Sequence, residues 1–436
     1  MGQTSSSEKE TSLQNDLRQL INDERFYDIT LECSDKERIF GCKGILATRS
    51  EIFNELIFTG LEKKILSFNN INSNSMKVIL EYLYVSEVKK ENLTVNNIIE
   101  VYHASIHFGL IEFQSHIINQ VMEILKSENE DTGKKLLSEC VNKFSSEEVD
   151  NEMSRILVDW VAMNKLKKGV DDSLSLEGLK YFLMKTLDTQ KPFATPEIEI
   201  WEYTLTKAKK EAYDQQGVQK YLNPLAGYIN LNRMDAEEIK QRIEPFNIYS
   251  DKKLKEVYFS MAVDKGLGFI RGVPIFKWKN GSGFGLKVFD GGFTVEAYKF
   301  IKQPKSILGD LIFKGRGVYE WNILVEKLCK TIYIGICDNN NVNFKKNDQD
   351  YHGWVLGSDG YVYHEKNYKW YDAIFNEGDK VTVRLDMKNR TCAFSVNDIR
   401  KLIVPEWKNI PSQVCPIASL GHGSKLRVKQ ELIKFC

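Results

Sequence analysis

Three side chains that could bind a metal ion share one predicted helical face. Glu100, His103 and His107 are spaced at i, i+3 and i+7, and a helix places such positions on the same side. Carboxylate and imidazole groups are zinc ligands, so this face could present a metal site. No further cluster of ligands completes such a site, and ordinary packing of half-buried histidines is the favoured interpretation. We therefore expect no metal site.

A second candidate for chemistry is the glycine-rich loop at residues 281–285, GSGFG. It resembles a phosphate-binding loop superficially, but no Lys-Ser or Lys-Thr follows it and no parallel strand and helix flank it. We interpret it as a linker turn. No Ser-His-Asp, Cys-His or paired-carboxylate arrangement has support in the sequence. The sequence therefore predicts a protein that is not an enzyme and uses no cofactor.

The residues best suited to molecular recognition lie in the aromatic run 361–371, YVYHEKNYKWY. We predict a loop here, and amphipathic rings of this kind dominate protein-binding surfaces. The candidate contact residues of the run are Tyr361, Tyr363, Tyr368, Trp370 and Tyr371. The alternative is that several rings, Trp370 and Tyr361 above all, pack against the edge of the domain. Arg316 and the polar loop 338–341 are secondary candidates.

The elements that would position this run are short alternating strands. Beyond Gly268 the sequence becomes rich in glycine and aromatic residues, which is typical of an all-β domain. The most regular pattern lies between Glu377 and Asp398, where two alternating runs flank a polar turn. The apolar positions of these runs are Val381, Val383, Leu385, Cys392, Phe394 and Val396. This spacing predicts an antiparallel hairpin with one buried face.

Length and composition indicate several domains in an intracellular chain. The 436 residues, 42% of them hydrophobic, exceed what one core usually organises. Lys+Arg and Asp+Glu are both 60, so no overall field favours binding to nucleic acid. No apolar stretch approaches the roughly 18 residues of a membrane span, and the polar start MGQTSSSEKE is not a secretory signal. The eight cysteines lack a CxxC pair, as expected of reduced packing thiols in the cytoplasm.

The first twelve residues are expected to form a disordered tail that carries one specific signal. Met1, Gly2 and Ser6 fit the pattern for N-myristoylation of Gly2. A single myristoyl chain binds membranes weakly and reversibly, and no second anchor is present nearby. Two interpretations stay open: an ordinary polar tail, and a lipidated tail that holds part of the protein at a membrane.

Residues 13–126 are predicted to form a mixed α+β domain. Leucines at helical spacing precede the alternating strand at Tyr27–Glu32, and a strand ending near Phe40 feeds a helix that continues to Ile57. Another helix follows, with apolar residues at Met76, Ile79, Leu80, Leu83 and Tyr84. The segments FYDITLE, IFGCKGILATRSEIFNELI and VILEYLYVSEV resemble a BTB/POZ domain. The resemblance implies self-association as a homodimer.

Members of the BTB family also dock on cullin scaffolds of ubiquitin ligases through a hydrophobic-x-Glu element that follows a helix containing a phenylalanine. The matching positions here are Phe53 in the helix and Leu61, Glu62 and Lys63 after it. Leu61 keeps the hydrophobic residue, but Lys63 stands where the glutamate is expected and reverses the charge of a contact surface. Cullin docking is therefore an implication of the resemblance that Lys63 leaves open.

Residues 130–262 are predicted to be helical, and the polar segment KSENEDTGKK, residues 126–135, separates the helical region from the preceding domain. One apolar stripe starts at Leu176 and another at Ile198, after a threonine that we expect to cap the helix. A third helix begins behind Asp235. The segments TPEIEIWEYTLTKAKK and PLAGYINLNRMDAEEIKQRIEPF resemble a BACK domain, which often follows BTB in ligase adaptors. The resemblance implies a spacer between the two ends of the chain.

Residues 270–436 resemble a SPRY domain, a β-sandwich that binds segments of other proteins through its loops. The resemblance lies in GRGVYEWNILV, IYIGICD, GWVLGSDGYVYH, FNEGDKVTVRLDMKNRTCAFSVND and VCPIASLGHG, in the family's order. The predicted architecture is thus an α+β BTB domain, an all-α BACK-like connector and an all-β SPRY sandwich.

Two functions follow from these resemblances. In the first, the SPRY domain captures a protein and the dimeric BTB domain docks on a cullin, so that the captured protein is ubiquitinated. In the second, the chain is a scaffold or signalling protein without a ligase role, held loosely at a membrane through Gly2. An enzyme would need a buried pocket with converging titratable groups.

Overall fold

The computed structural model describes residues 12–59, 63–127, 130–167, 173–263, 268–279, 285–338, 351–365 and 367–429. These residues form two compact units, one of residues 12–157 with 173–178 and the other of residues 158–167 with 179–429. The helical region expected at 130–262 is therefore shared between two units. Among the described residues, no helix has the length and apolar composition needed to cross a membrane.

The N-terminal unit is a small sheet surrounded by helices. Its strands β1 (Ile29–Glu32), β2 (Arg38–Gly41) and β3 (Ile65–Ser67) lie in the order β2-β1-β3, with β1 antiparallel to β2 and parallel to β3. Its helices are α1 (Ser12–Gln19), α2 (Lys43–Arg49), α3 (Glu51–Phe58), α4 (Ser73–Val85), α5 (Ile98–His107), α6 (Ile111–Ser127) and α7 (Glu130–Lys143). The almost wholly buried α4 carries the apolar stripe that the sequence predicts.

The single helix expected after Phe40 is in fact two helices. Ser50 has an extended backbone between α2 and α3, and its hydroxyl accepts a hydrogen bond from the Phe53 N–H at 3.3 Å. The same hydroxyl donates to the carbonyl oxygen of Phe108 at 2.8 Å. Ser50 therefore ends one helix and caps the next.

In the described residues, the chain continues through further α-helices into the second unit. They are α8 (Glu152–Met163), α9 (Leu176–Thr186), α10 (Glu197–Glu211), α11 (Gln215–Ala226), α12 (Ala236–Arg242) and α13 (Asp251–Val263). Helix α12 begins after Asp235, as predicted; Asp235 caps it, and its N–H donates to the Glu238 carboxylate at 3.1 Å. The prediction that Thr195 caps α10 is wrong, because Pro196 occupies the cap position and the Thr195 hydroxyl accepts from the Leu166 N–H instead.

Two antiparallel sheets form the C-terminal sandwich. One contains β6 (Leu286–Phe289), β7 (Thr294–Ala297), β10 (Val318–Lys327), β15 (Lys380–Asp386), β16 (Thr391–Val396), β17 (Ile399–Arg400) and β19 (Lys425–Val428). The other contains β8 (Lys305–Leu308), β9 (Phe313–Lys314), β11 (Ile332–Asp338), β12 (Tyr351–Gly357), β13 (Tyr361–Glu365), β14 (Asn367–Trp370) and β18 (Gln413–Leu420). Two short strands, β4 (Pro192–Phe193) and β5 (Val273–Pro274), pair in parallel before the sandwich.

The predicted hairpin lies in the first sheet, between the short edge strand β17 and the central strand β10. Strands β15 and β16 pair antiparallel, with Val383 opposite Phe394 and Leu385 opposite Cys392. These side chains are buried in the core between the two sheets. The predicted hairpin is confirmed, but the prediction of a single buried face is wrong, because Thr382, Ala393 and Ser395 on the opposite face are buried as well. This segment builds the sandwich. All seven described cysteines are free thiols.

Candidate protein-interaction surface

The aromatic run that the sequence analysis assigns to a loop is a β-hairpin. Strands β13 and β14 pair antiparallel and extend the second sheet, in which the order is β14-β13-β12-β11-β18-β8. The loop prediction is therefore wrong for the run as a whole. Since β14 is the last strand of this order, the run lies at the edge of the sheet.

Four rings of this hairpin occupy one face. Tyr361 lies opposite Trp370, and Tyr363 lies opposite Tyr368. Because side chains alternate along a strand, these directly opposed pairs point to the same side of the sheet. Ring centroids are 5.0 Å apart for Tyr361 and Trp370, 5.9 Å for Tyr361 and Tyr368, and 6.0 Å for Tyr363 and Tyr368. We call these four residues the aromatic face.

The rings nearest the sheet edge are the most accessible. Tyr368 is 70% exposed and Trp370 48% exposed, whereas Tyr361 and Tyr363 are half-buried. The Tyr363 hydroxyl donates to the Asp359 carboxylate at 2.5 Å, and its ring meets the buried Tyr333 edge-on at 5.2 Å. The face thus has a fixed inner side and an open outer side, which suits contact with another molecule.

Gly360 fixes the position of the Trp370 ring. Its φ is +85°, and a Cβ atom there would lie 2.8 Å from Ile374 and 3.0 Å from the Trp370 ring. Glycine is therefore required for both the backbone conformation and the close approach of the indole.

Tyr371 differs from the other candidates because it belongs to the framework. Its hydroxyl accepts from the Phe394 N–H at 3.1 Å and donates to the carbonyl oxygen of Leu402. Burial raises the pKa of Tyr371 to about 12, although the hydrogen bond from the Phe394 N–H opposes this shift. Tyr371 joins β14 to the strands that follow, so its role is to position the aromatic face.

Arg316 lies at a different place in the C-terminal unit. Its Nη1 donates to the carbonyl oxygen of Met261, in α13, at 2.7 Å. Arg316, Lys314 and Phe269 line a cavity of about 140 Å³ together with residues of α12 and α13. Arg316 is thus engaged with the helical part of its own unit, away from the aromatic face. The other secondary candidate is the polar loop 338–341, and its residues 339–341 lie outside the described residues. Residues 281–284 of the glycine-rich loop lie outside them as well.

The residues expected to dock on a cullin are in two environments. Phe53 is fully buried and its ring stacks on Phe108 at 4.3 Å, so it supports α3 from within and does not reach the surface. Lys63 is exposed. Leu61 and Glu62 lie outside the described residues, as does Gly2. On either side of this segment, Phe58 is 62% exposed and Ile65 49% exposed.

The three possible metal ligands take part in packing and an ion pair. Glu100 binds the ammonium group of Lys143. The His103 ring meets Phe144 edge-on at 5.3 Å, and burial, together with the charge of Lys143, lowers its pKa. His107 meets Phe68 and Phe108 edge-on. In the described part of the chain, no group of three or more His, Cys, Asp or Glu side chains could hold a metal ion.

A buried ion pair in the C-terminal unit was not foreseen from the sequence. Arg271 binds the Glu197 carboxylate through both Nη2, at 2.7 Å, and Nε, at 3.1 Å, and the two side chains are 1% and 0% exposed. Arg271 also donates to Leu183, Thr186 and Tyr228. The pair connects α9 and α10 to the chain just before the sandwich.

Comparison with known proteins identifies both ends of the chain. Residues 17–123 match the family model of the BTB/POZ domain, and residues 318–432 match that of the SPRY domain. The chain therefore contains a BTB/POZ domain, a helical middle region and a SPRY sandwich. Domains of these two kinds bind other proteins, and their presence in one chain indicates a protein-interaction adaptor.

Two curated relatives share part of this organisation. The chain is 32% identical over 125 residues to Kelch-like protein 41b of Danio rerio, covering 27% of this chain and 20% of that protein. It is 21% identical over 262 residues to BTB/POZ domain-containing protein 9 of Drosophila melanogaster, covering 58% of this chain and 33% of that protein. The chain thus spans at most a third of either relative. The second similarity is longer than the BTB match and extends beyond it.

Two solved structures match part of this chain. The SPRY domain of human HERC1 is 16% identical, with a TM-score of 0.30, over 36% of this chain and 99% of that domain. The PSpry domain of TRIM65 is 9% identical, with a TM-score of 0.28, over 36% of this chain and 92% of that domain.

Proposed function

We propose that this chain is an adaptor whose SPRY domain captures a protein through the aromatic face and whose BTB domain self-associates and docks on a cullin scaffold. The captured protein would then be presented for ubiquitination. The observation that carries the proposal is the exposed aromatic face on a SPRY sandwich in a chain that also contains a BTB domain.

The chemistry of the aromatic face supports capture of protein. Tyr and Trp rings give large contact areas with few rotatable bonds, and they are enriched among residues that dominate binding energy. Tyr368 and Trp370 are open, while Tyr361 and Tyr363 hold them in place from the sheet side. A protein segment laid across these rings would bury apolar surface that now faces water.

Exposed apolar residues around Lys63 support docking by the BTB domain. Phe58 and Ile65 flank the segment that contains Lys63, on α3 and β3. Ile111 is also exposed at the start of α6, close to α3 in the fold because Gly109 approaches Ile52. These residues offer an apolar surface on which a cullin helix could pack.

Self-association would multiply the capture function. Leu13 on α1 and the pair Phe26 and Tyr27 before β1 are exposed apolar side chains at the start of the domain. A dimer formed there would present two aromatic faces, and linked sites gain avidity without any new contact.

Lys63 favours a second candidate, a scaffold without a ligase role. An exposed ammonium group at the position of the expected glutamate would repel a complementary basic contact. Such a scaffold would cluster proteins captured by the SPRY domain in the cytoplasm, with myristoylated Gly2 as a weak membrane anchor.

A binding experiment with the purified N-terminal domain of a cullin separates the two candidates. We expect the full-length chain to bind and Leu61→Asp to abolish binding. Lys36→Glu, on the β1–β2 turn, makes the same charge change as Lys63→Glu; it is the matched control for Lys63→Glu and should leave binding as it is in the unmodified chain. If the unmodified chain does not bind but Lys63→Glu does, the ligase function is refuted in favour of the scaffold. Labelling with a fatty acid, in comparison with Gly2→Ala, tests the anchor.

A further inference from the structure

The outer edge of β14 offers main-chain hydrogen-bonding groups as well as rings. The Tyr371 N–H donates to the carbonyl oxygen of Gly360 at 3.0 Å, which makes these two residues a hydrogen-bonded pair of the hairpin. Because bonded and non-bonded pairs alternate in an antiparallel ladder, Lys369 pairs inward with Val362, whereas Tyr368 and Trp370 direct their N–H and C=O groups outward. In the described residues no strand pairs with this outer side.

The outward groups and the open rings belong to the same two residues. Tyr368 and Trp370 have exposed side chains on the aromatic face and main-chain groups that point outward at the sheet edge. Unpaired strand edges are templates for another extended chain. Side-chain and main-chain recognition therefore coincide at one place on the sandwich.

We propose that β14 binds an extended segment of a partner protein, which pairs with Tyr368 and Trp370 as an additional strand of the sheet. This inference rests on the proposed capture function and defines its mode. Main-chain hydrogen bonds would fix which residues of the segment lie opposite Tyr368 and Trp370. Side chains at alternate positions of the segment would then lie over the aromatic face. These side chains should be apolar, because the nearby charges are already paired in Lys369–Glu406 and Lys401–Asp372.

The area of the edge favours a flexible segment over a second copy of this chain. Strand β14 has four residues and spans about 13 Å, so rigid edge-to-edge pairing of two copies would bury far less than the roughly 1,000 Å² that a specific interface needs. A flexible segment can form main-chain hydrogen bonds with β14 and also fold over the rings of the aromatic face, so it can bury more surface than a rigid second copy.

A phage-displayed library of random linear 12-residue peptides, selected on the full-length chain, tests this mode. An enriched peptide is synthesised, and its affinity is measured for variants at Tyr368. Tyr368→Ala removes the ring only, whereas Tyr368→Pro removes the ring and the outward N–H but no hydrogen bond to β13. We expect Tyr368→Pro to bind about five-fold more weakly than Tyr368→Ala. Hydrogen exchange should show slower exchange of the Tyr368 and Trp370 amides when the peptide is bound.

Each other outcome overturns strand addition. Equal affinities of the two variants, with unchanged amide exchange, would mean that the rings bind without the edge and would leave the capture function standing. The absence of any enriched peptide that needs Tyr368 would refute recognition of linear extended segments. Concentration-dependent self-association that Trp370→Pro abolishes, seen by sedimentation, would assign the edge to a second copy. The proposed function fails separately, if the unmodified chain does not bind a cullin or if the set of proteins near it in cells does not depend on Tyr368 and Trp370.

Discussion

The buried pair of Arg271 and Glu197 should be among the most sensitive positions of the C-terminal unit. In Arg271→Met the Glu197 carboxylate loses its guanidinium partner and keeps the N–H of Asn230 at 2.7 Å. The carbonyl oxygen of Tyr228 loses the donor that Arg271 supplies, whereas that of Leu183 keeps the Leu187 N–H at 3.1 Å. Leaving one buried charge without its partner costs about 3–5 kcal/mol. Glu197→Gln should cost a similar amount, because it leaves a buried guanidinium group without a counter-charge.

Replacement of both partners should cost much less than the sum of the single changes. The variant Arg271→Met with Glu197→Leu removes both charges, and apolar replacements of buried ion pairs are often neutral or stabilising. The coupling between the two positions is read from a double-mutant cycle. Arg242→Met is the matched control, since Arg242 pairs with Glu202 nearer the surface and half of its side chain is exposed. That change should cost at most about 1 kcal/mol.

Native-state hydrogen exchange in α9 and α10 of the full-length chain is the suitable assay, because a chain of several domains does not unfold in one step. We expect amides that exchange through unfolding of this unit to exchange about 10²- to 10⁴-fold faster in each single variant. The reasoning is refuted if the single variants resemble Arg242→Met, or if the double variant is as unstable as the sum of the two.

Three further predictions concern the aromatic face and the BTB domain. Gly360→Val should displace the Trp370 ring and destabilise the sandwich by about 1–3 kcal/mol, which thermal unfolding and near-ultraviolet circular dichroism would detect; an unchanged indole signal would contradict it. Burial and the charge of Lys143 lower the pKa of His103 from its usual value of 6.5. As the pH decreases through 6.5, His103 is therefore protonated in the unfolded chain before it is protonated in the folded domain, and the stability of the BTB domain should fall. His103→Gln should make this decline shallower in melting temperatures, and an equal slope would refute the assignment. Glu81 is buried and accepts from Arg18, from the Lys89 N–H at 3.1 Å and from Asn92 at 2.6 Å; Glu81→Ala should release α1 at a cost of about 1–3 kcal/mol, seen as faster exchange at residues 12–19 and contradicted by unchanged exchange.

The parts of the fold that follow a simple period were predictable from the sequence. The hairpin of β15 and β16 was predictable because its apolar residues alternate along each strand and pack into the core between the two sheets. Helix α12 was predictable because Asp235 and Glu238 form a local capping box. In such elements the residues that decide the structure are near neighbours in the chain.

The remaining features depend on contacts that no local pattern reveals. The turn between β13 and β14 gives Glu365 a φ of +52°, a conformation that hairpins usually assign to Asn or Gly, so the usual turn signal is missing. Ser50 lies between α2 and α3, and its hydroxyl donates a hydrogen bond to the carbonyl oxygen of Phe108, 58 positions further along the chain. Arg271 and Glu197 are 74 positions apart, and only the folded unit brings them together.

The most direct test of the adaptor function compares the proteins near the chain in cells. The full-length chain is fused to a proximity-labelling enzyme in three forms: unmodified, Tyr368→Ala with Trp370→Ala, and Tyr298→Ala with Phe300→Ala. The last is a matched control, because Tyr298 and Phe300 are also an exposed stacked aromatic pair, with centroids 5.2 Å apart, following β7 of the other sheet. We predict a set of labelled proteins that is lost with the first double variant and retained with the second. Identical sets for all three forms would contradict capture through the aromatic face.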